Sequence, residues 1–255
     1  MALVRMAAGA ALAIVMALPA AAQGIPKAQS PEEVGFVANR LKRLSERIDE
    51  GVKNNELPGA VVLIARNGRI AHFEAYGWRD KDAKVAMTND TIFRIASMTK
   101  PIVSVATMIL VEEGKLTLAD PVSKYIPAFA DTKVSVEKKN PDGTVEYGLE
   151  PQARPMTVQD LMRHTSGLTY GAAGTNPVKQ SYLDMKVADR GQTTAEMADK
   201  LAKLALLYQP GTTWEYSMST DLLGRVVEVA SGQPLDKFIE ERITRPLKMG
   251  DTGFE

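Results

Sequence analysis

The sequence contains no cysteine in 255 residues, so the chain folds without disulfides and performs no thiol chemistry. Its formal net charge is zero, and no block of like charges occurs along the chain. This balance gives no indication of nucleic acid or an anionic membrane as partner. With 45% apolar and 24% charged residues, the composition is that of a globular protein with a sizeable core. The expected ligand is a small molecule or a cell-wall component, and we expect neither a metal nor a cofactor.

The N-terminal apolar run, from about Ala7 to Leu18, is too short to form a stable membrane span. It follows a positive charge at Arg5, and small residues end the segment at Ala22. This arrangement predicts a secretory signal peptide over residues 1–22, cleaved after Ala22. The mature chain is then secreted or periplasmic and not stably inserted in a membrane; an uncleaved anchor is the alternative.

The pattern Ser-x-x-Lys occurs at Ser97 and Lys100, and again at Ser135 and Lys138. Residues three apart on a helix lie on one face, roughly 5 to 6 Å apart between Cβ atoms, so the lysine can reach the serine hydroxyl. A helix-capping serine followed by a solvated lysine has the same spacing. Ser135 lies in a charged, loop-like stretch that would not desolvate its lysine, so the context of each pair has to distinguish them.

Ser97 precedes a segment, residues 102–111, in which almost every side chain is apolar. A helix that is apolar on all sides is expected to be buried. Pro101 fits only in the first turn of a helix, which leaves Ser97 at or near the helix N-terminus. There the free amides and the helix dipole favour negative charge on the serine oxygen. We therefore predict that Ser97 is an activated nucleophile with Lys100 as its partner.

Two roles are open to Lys100. Desolvation lowers the pKa of a lysine, and a neutral amine could accept the serine proton. A lysine that stays charged would instead lower the pKa of a nearby phenol. Tyr216 lies in a turn just before a helix, between Trp214 and Ser217, and is the phenol considered first. The alternative for Tyr216 is a half-buried aromatic side chain that packs against a loop.

The pattern of the N-terminal part predicts one helix and one β-hairpin. A helix is expected over residues 30–52, where proline and acidic residues follow Ser30 and apolar residues recur at helical spacing. Asn67-Gly68 between two apolar runs predicts a hairpin with strands at residues 60–65 and 70–76. A lone hairpin is only marginally stable, so further strands must come from elsewhere in the chain.

Beyond residue 80 the sequence predicts a mainly helical region with one short, polar hairpin. Two helices are expected to begin at a Thr-x-x-acid pattern, which is typical of the capping box. Another is expected to end at glycine, the residue that most often follows a helix. The expected strands are residues 133–138 and 144–149, and the expected helices begin at Thr157 and Thr193, end at Gly232 and cover residues 234–243.

Four segments together resemble one protein superfamily. Ser97-Met98-Thr99-Lys100 resembles the S-x-x-K signature of penicillin-recognising serine enzymes. Residues 161–168 (LMRHTSGL), 209–217 (QPGTTWEYS) and 246–254 (PLKMGDTGF) are similar to segments of the same group, in the same order. From about Ser30 to its last residue, the sequence is similar to class C β-lactamases, D-alanyl-D-alanine carboxypeptidases and family VIII carboxylesterases.

The resemblance implies an α+β, β-lactamase/transpeptidase-like fold, in which an antiparallel sheet with flanking helices adjoins a helical domain and the active site lies between them. It implies that Ser97 is acylated, that Lys100 is its electrostatic or proton-transfer partner, and that Tyr216 is the general base or proton relay. The Ser97 backbone N–H would hold part of the oxyanion. His164 matches a family histidine that is not catalytic and is expected to brace a loop, and His72 is expected to be structural.

One departure from the family pattern concerns the substrate. Met218 stands where β-lactamases and carboxypeptidases have an asparagine after the tyrosine. A thioether cannot donate a hydrogen bond to a substrate amide as an asparagine does. The substitution therefore favours esters over β-lactams and peptides.

The other departure concerns the third family motif, K-T-G or a variant such as H-x-G, which the sequence lacks. Residues 248–250 (KMG) have similar letters but lie in a segment that resembles a different part of the family. We therefore expect residues 23–255 to form an incomplete domain whose C-terminal sheet strands are missing. Its sheet elements would occupy about residues 30–80 and its mainly helical part about residues 81–255.

The expected function is that of an exported serine hydrolase that acts through an acyl-enzyme on small-molecule esters, as family VIII carboxylesterases do. The alternative is a β-lactam or peptide substrate, as in class C β-lactamases or D-alanyl-D-alanine carboxypeptidases. An alternative of another class is an inactive truncated fragment or a ligand-binding pseudoenzyme. The oligomeric state is left open.

Overall fold

The computed structural model describes residues 24–172 and 176–254. The predicted signal peptide, residues 1–22, lies outside the described residues. Two structural units succeed each other along the chain, one up to Phe93 and the other from Arg94. The first holds antiparallel strands and a helix, and the second is mainly helical, so the fold is α+β as the sequence predicts. Among the described helices, none is both long and apolar enough to cross a membrane.

The first unit is built on the predicted hairpin. Strands β1 (Gly59–Arg66) and β2 (Arg69–Asp80) pair antiparallel along their length. Both turn residues have positive φ, 52° at Asn67 and 69° at Gly68. A two-residue turn of this kind matches the twist of the strands, and Asn-Gly adopts it readily. The hairpin prediction is confirmed.

The N-terminal helix starts later than predicted. The segment after Ser30 forms only a short 3-10 helix, Pro31–Val34, which ends at Gly35 with φ of 78°. The long helix, α1, is Ala38–Lys53. A residue in the left-handed conformation cannot continue a right-handed helix, so the prediction of one continuous helix from residue 30 is wrong.

A short third strand extends the first unit. Strand β3 (Val85–Ala86) pairs with β2 opposite Trp78 and Asp80. The sequence places the end of the sheet part at about residue 80, and the first structural unit extends to Phe93. A strand of two residues shows no periodicity from which it could be predicted.

The second unit packs its helices around α6 (Ser219–Ser231), whose Leu222, Leu223, Val226 and Val227 are fully buried. The two predicted capping boxes are present, with Thr157 and Asp160 in one and Thr193 and Glu196 in the other. The polar hairpin is also present, and the predicted C-terminal helix is a short α-helix followed by a π-helical turn. The elements are α2 (Thr99–Glu112), β4 (Lys133–Lys139), β5 (Val145–Pro151), α3 (Val158–Arg163), α4 (Pro177–Asp184), α5 (Thr194–Ala202), α6 (Ser219–Ser231) and α7 (Leu235–Ile239).

Helix α2 is less buried than its composition predicts. Val103, Ala106 and Leu110 are buried, at the three- and four-residue spacing of one helix face. Val105 and Met108, on the other side, are 49% and 43% exposed. Within its unit α2 packs mainly against α6, so only one face is covered, and the expectation of burial all round is wrong.

Candidate active site

Ser97 and Lys100 lie where the chain enters α2. A 3-10 turn, Ala96–Met98, runs directly into the helix. The Nζ atom of Lys100 donates a hydrogen bond to Ser97 Oγ at 3.3 Å. Ala96 has φ of 44°, a left-handed conformation that residues with a Cβ atom seldom adopt. Backbone strain of this kind persists only where the surrounding structure enforces it, and it is found more often at functional sites than elsewhere.

The second Ser-x-x-Lys pattern forms no such pair. Ser135 lies in the middle of β4, where its backbone N–H donates to the Leu206 carbonyl at 2.8 Å. Side chains three apart on a strand point to opposite faces, so Lys138 is directed away from Ser135. The two patterns have the same spacing, but one lies at the start of a helix and the other on a strand, and only the helical one brings its serine and lysine together.

Tyr216 completes a cluster with these two residues. Its hydroxyl is hydrogen-bonded to the hydroxyl of Ser97, and Lys100 Nζ lies 4.8 Å from the centre of its ring. Tyr216 is 39% exposed, so the cluster is open to solvent on one side. The structure thus brings together the three residues that the sequence selects, across 119 positions between Ser97 and Tyr216.

Backbone pairing between two of the family-like segments positions Tyr216. The backbone N–H of Gly211 donates to the Thr165 carbonyl at 2.7 Å, and that of Glu215 donates to the His164 carbonyl at 2.9 Å. Gly211 has φ of 86°, and a Cβ atom there would overlap the Arg154 guanidinium at 1.9 Å. A turn with this conformation and this close neighbour requires glycine.

The electrostatics of the cluster favour a charged lysine. Burial by itself would lower the pKa of Lys100, but the Tyr216 hydroxyl and the charges of Tyr170, Tyr216 and Asp221 outweigh burial and raise this pKa. Interaction with Lys100, and then with Ser97, lowers the pKa of Tyr216. Of the two roles open to Lys100, the directions of these pKa shifts favour the charged partner. A phenol with a lowered pKa is better matched to proton transfer near neutral pH.

Two residues of the cluster were not selected from the sequence. The ring of Tyr170 lies 5.6 Å from that of Tyr216, and Tyr170 interacts with Lys100. Asp221, in the first turn of α6, contributes a negative charge near Lys100. Neither residue has a spacing rule that links it to Ser97, although Tyr170 lies two positions after the HTSGL segment and Asp221 five positions after Tyr216. Only the folded chain shows that they surround the lysine.

The histidines take no part in a Ser-His-Asp arrangement. His164 lies beside Tyr216, with 4.8 Å between ring centres, but its Nδ1 atom faces Ser217 at 3.3 Å rather than Ser97. His72 belongs to the first unit, where its Nε2 atom and the Tyr76 hydroxyl are 2.9 Å apart. Within residues 24–172 and 176–254, no group of acidic or histidine side chains is arranged to bind a metal ion.

A cavity of about 590 Å³ opens beside Lys100. Its wall includes Val103, Tyr170, Met218 and Asp221. Met218, which replaces the family asparagine, is 4% exposed and turns a thioether rather than an amide toward this space. The cavity can therefore receive an apolar group next to the lysine, but Met218 offers no donor to a substrate carbonyl.

Comparison with known proteins identifies the family of the chain. Residues 44–255 match the profile of the family described as Beta-lactamase. The chain belongs to this family. Esterase EstB from Burkholderia gladioli is 36% identical over an alignment of 222 positions, which covers 85% of this chain and 52% of EstB. A putative D-alanyl-D-alanine carboxypeptidase from Escherichia coli K12 is 32% identical over an alignment of 262 positions, which covers 95% of this chain and 54% of that protein.

A solved structure with the same fold is that of EstCE1, described as a hydrolase with promiscuous acyltransferase activity. It superposes with a TM-score of 0.68 at 30% identity, over 82% of this chain and 51% of EstCE1. The predicted β-lactamase/transpeptidase-like fold and superfamily are thereby confirmed. The chain spans about half the length of the relatives that it matches.

Proposed function

We propose that the protein is an exported serine hydrolase that cleaves small-molecule esters through an acyl-enzyme at Ser97. The observation that carries this proposal is the cluster in which Ser97 is hydrogen-bonded to Tyr216 and receives a hydrogen bond from Lys100. Family membership supports hydrolase chemistry, and the open side of the cluster leaves room for a carbonyl carbon beside Ser97 Oγ.

The mechanism begins when Tyr216 takes the proton of Ser97 as Oγ attacks the ester carbonyl. The new C–O bond gives a tetrahedral oxyanion, to which the Ser97 backbone N–H would donate. As the intermediate collapses, the C–O bond to the alcohol breaks and the alcohol leaves with the proton held by Tyr216. Water then attacks the acyl-enzyme, Tyr216 takes its proton, and Ser97 recovers a proton as the acid leaves. The charged Lys100 stabilises negative charge on Tyr216 and on Oγ during both steps.

The identity of Met218 supports esters as the substrate class. An ester presents no N–H group and needs less hydrogen-bonding recognition than a β-lactam or peptide amide, so loss of the asparagine affects it least. The similarity to EstB is in line with this choice. The similarity to a putative D-alanyl-D-alanine carboxypeptidase supports the alternative function, in which the substrate is a peptide or a β-lactam.

The test compares p-nitrophenyl butyrate and nitrocefin hydrolysis by wild type, Ser97→Ala and Ser135→Ala. Ser135→Ala is the matched control because it removes the serine of the other Ser-x-x-Lys pattern. We expect Ser97→Ala to lose about 10³-fold or more in kcat/KM for the ester, as removal of a nucleophile does, and Ser135→Ala to lose little. Equal ester rates in wild type and Ser97→Ala would refute the proposal.

Two other outcomes select the alternatives. A preference of the wild type for nitrocefin selects the β-lactamase function. Absence of turnover with both substrates selects the inactive fragment or the ligand-binding pseudoenzyme. Export is tested separately by mass spectrometry of protein recovered from the periplasm, where cleavage after Ala22 predicts Gln23 as the first residue.

A further inference from the structure

A chain of buried hydroxyl groups lies behind Tyr216. We call Ser166, Ser219 and Ser217 the buried hydroxyl chain; each is fully buried. The Oγ atoms of Ser166 and Ser219 are 2.7 Å apart, and those of Ser219 and Ser217 are 2.6 Å apart. Ser217 Oγ then lies 3.3 Å from His164 Nδ1. Because fully buried hydroxyls need partners, this chain ties the HTSGL segment to the segment that carries Tyr216.

His164 connects the buried hydroxyl chain to Tyr216. Its ring lies 4.8 Å from the ring of Tyr216 at an angle of 37°, and 6.3 Å from that of Trp214. The residue is 9% exposed and has φ of 56°, which follows from its position at the end of α3. The imidazole therefore forms one wall of the space that the Tyr216 ring occupies. A shift of this wall would move the tyrosine hydroxyl relative to Ser97.

The hydrogen bonds define the tautomer of His164. The backbone N–H of Ser217 donates to His164 Nδ1 at 3.3 Å. A backbone N–H can only donate, so Nδ1 must be the acceptor and the ring proton must be on Nε2. Protonation of the imidazole would put an N–H at Nδ1 against this donor. It would also add a positive charge beside Tyr216 and near Lys100.

We propose that His164 is a positioning residue whose neutral Nε2–H form holds Tyr216 in place for Ser97, and whose protonation disables the site in acid. This inference rests on the proposed function, because it assigns His164 to the same Ser97–Tyr216 chemistry. The groups that face His164 are Tyr216 and Trp214 from the adjoining segment, Ser217, Lys100 from α2 and Asp221 from α6.

The surroundings keep the imidazole neutral. Burial, followed by the charge of Lys100, lowers the pKa of His164, and the charge of Asp221 opposes them only in part. Because the folded-state pKa lies below that of the unfolded chain, the neutral form is retained to lower pH than in a free histidine. Protonation in acid then opposes the folded arrangement around Tyr216.

The kinetic test uses His164→Asn, with His72→Asn as the matched control in the first unit. Asparagine keeps an acceptor for the Ser217 N–H, tolerates the left-handed backbone and does not titrate. In wild type, protonation of both Tyr216 and His164 should give a slope approaching two in log(kcat/KM) against pH on the acid side. His164→Asn should show a slope of one and a plateau reduced by up to ~10²-fold, since misplacement near the reacting group has such effects.

A purely structural role would lower the rate of His164→Asn equally at all pH values and leave the slope unchanged, which would overturn the proposal. His72→Asn should keep the wild-type slope. A second measurement does not depend on activity: imidazole ¹⁵N NMR, in which the two histidines are assigned from the two variants. We expect an Nε2–H tautomer and a pKa below the ordinary value for His164. An Nδ1–H tautomer would overturn the inference, whereas failure of the proposed function would appear separately, as an active Ser97→Ala variant.

Discussion

At the scale of single residues, the chemistry of the site depends on one ammonium group between two hydroxyls. Lys100 Nζ is 3.3 Å from Ser97 Oγ and interacts with the Tyr216 hydroxyl. It thereby favours the deprotonated form of both oxygens. In the proposed mechanism this makes Tyr216 an effective base without a histidine, which agrees with the position of His164 behind the ring rather than beside the serine.

Replacement of Lys100 by methionine tests this dependence. Lys100 is the main cause of the lowered pKa of Tyr216, so its loss should raise that pKa. Since activity requires Tyr216 to accept a proton, the acid limb of kcat/KM should move to higher pH in Lys100→Met. The measurement is the pH–rate profile with p-nitrophenyl butyrate. A limb that stays at the wild-type pH, whatever the loss of rate, would contradict the role assigned to the lysine.

At the scale of elements, the start of α3 is held by a buried carboxylate. Asp160 is fully buried, caps the helix with Thr157 and receives two hydrogen bonds from Arg154, at 2.6 and 2.9 Å. Burial alone would raise the pKa of Asp160, but the hydrogen bonds from Arg154 and Thr157 lower it to about 2. Helix α3 leads directly into His164, so this network also supports the wall of the site.

The pH dependence of stability follows from this carboxylate. Its pKa is lower in the folded than in the unfolded state, so it stabilises the fold above the unfolded pKa, by ~2 kcal/mol, and this contribution is lost as pH falls from about 4 toward 2. Asp160→Asn should lose this part of the pH dependence and should cost about 2 kcal/mol at neutral pH, because the charge-assisted hydrogen bonds that Arg154 donates to the buried carboxylate are lost. Urea unfolding at several pH values measures both effects.

Glu196→Gln is the matched control for that experiment. Glu196 occupies the same position in the capping box of α5 but is exposed. Hydrogen bonds from the Thr193 backbone and side chain lower the pKa of Glu196 as well, but an exposed carboxylate contributes little to stability, so we expect this variant to keep most of the wild-type acid dependence. If wild type and Asp160→Asn lost stability in parallel between pH 4 and pH 2, the assignment to Asp160 would be wrong.

At the scale of the whole molecule, the two units bury very different amounts of apolar surface. Among the described residues, the buried apolar side chains of the first unit are Val34 and Tyr76, whereas the second unit has a continuous core centred on α6. Apolar burial is the main favourable contribution to folding. The second unit is therefore expected to be the more stable of the two.

The two tryptophans of the chain report on this difference, because Trp78 lies in β2 and Trp214 in the second unit. With 5-fluorotryptophan incorporated, each should give one ¹⁹F resonance. We expect the Trp78 signal to reach its unfolded position at lower urea concentration than the Trp214 signal. Trp78→Phe assigns the lines and is the control. Coincident transitions would instead indicate one cooperative unfolding unit.

Much of the fold could be predicted from the sequence because its signals are local. Asn67-Gly68 produced the hairpin, and the patterns at Thr157 and Thr193 produced capping boxes, since each depends on residues within a few positions. The start of α1 and strand β3 could not be predicted, because one depends on the conformation of Gly35 and the other on pairing with β2. The pairing of Arg154 with Asp160 could not be predicted either, because Arg154 lies outside the four residues, 157–160, that define the capping box.

The sequence by itself determined the family-like segments and the choice of Ser97, Lys100 and Tyr216 as candidates, because residue type and short spacing are properties of the chain. Only the tertiary structure decided that Tyr216 meets the Ser97–Lys100 pair, since its hydroxyl reaches that of Ser97 across 119 positions of the chain. It also decided the charge state favoured for Lys100 and brought Tyr170, Asp221 and His164 around it. These depend on distances across more than fifty positions of the chain, and an electrostatic environment exists only once those distances are fixed by folding.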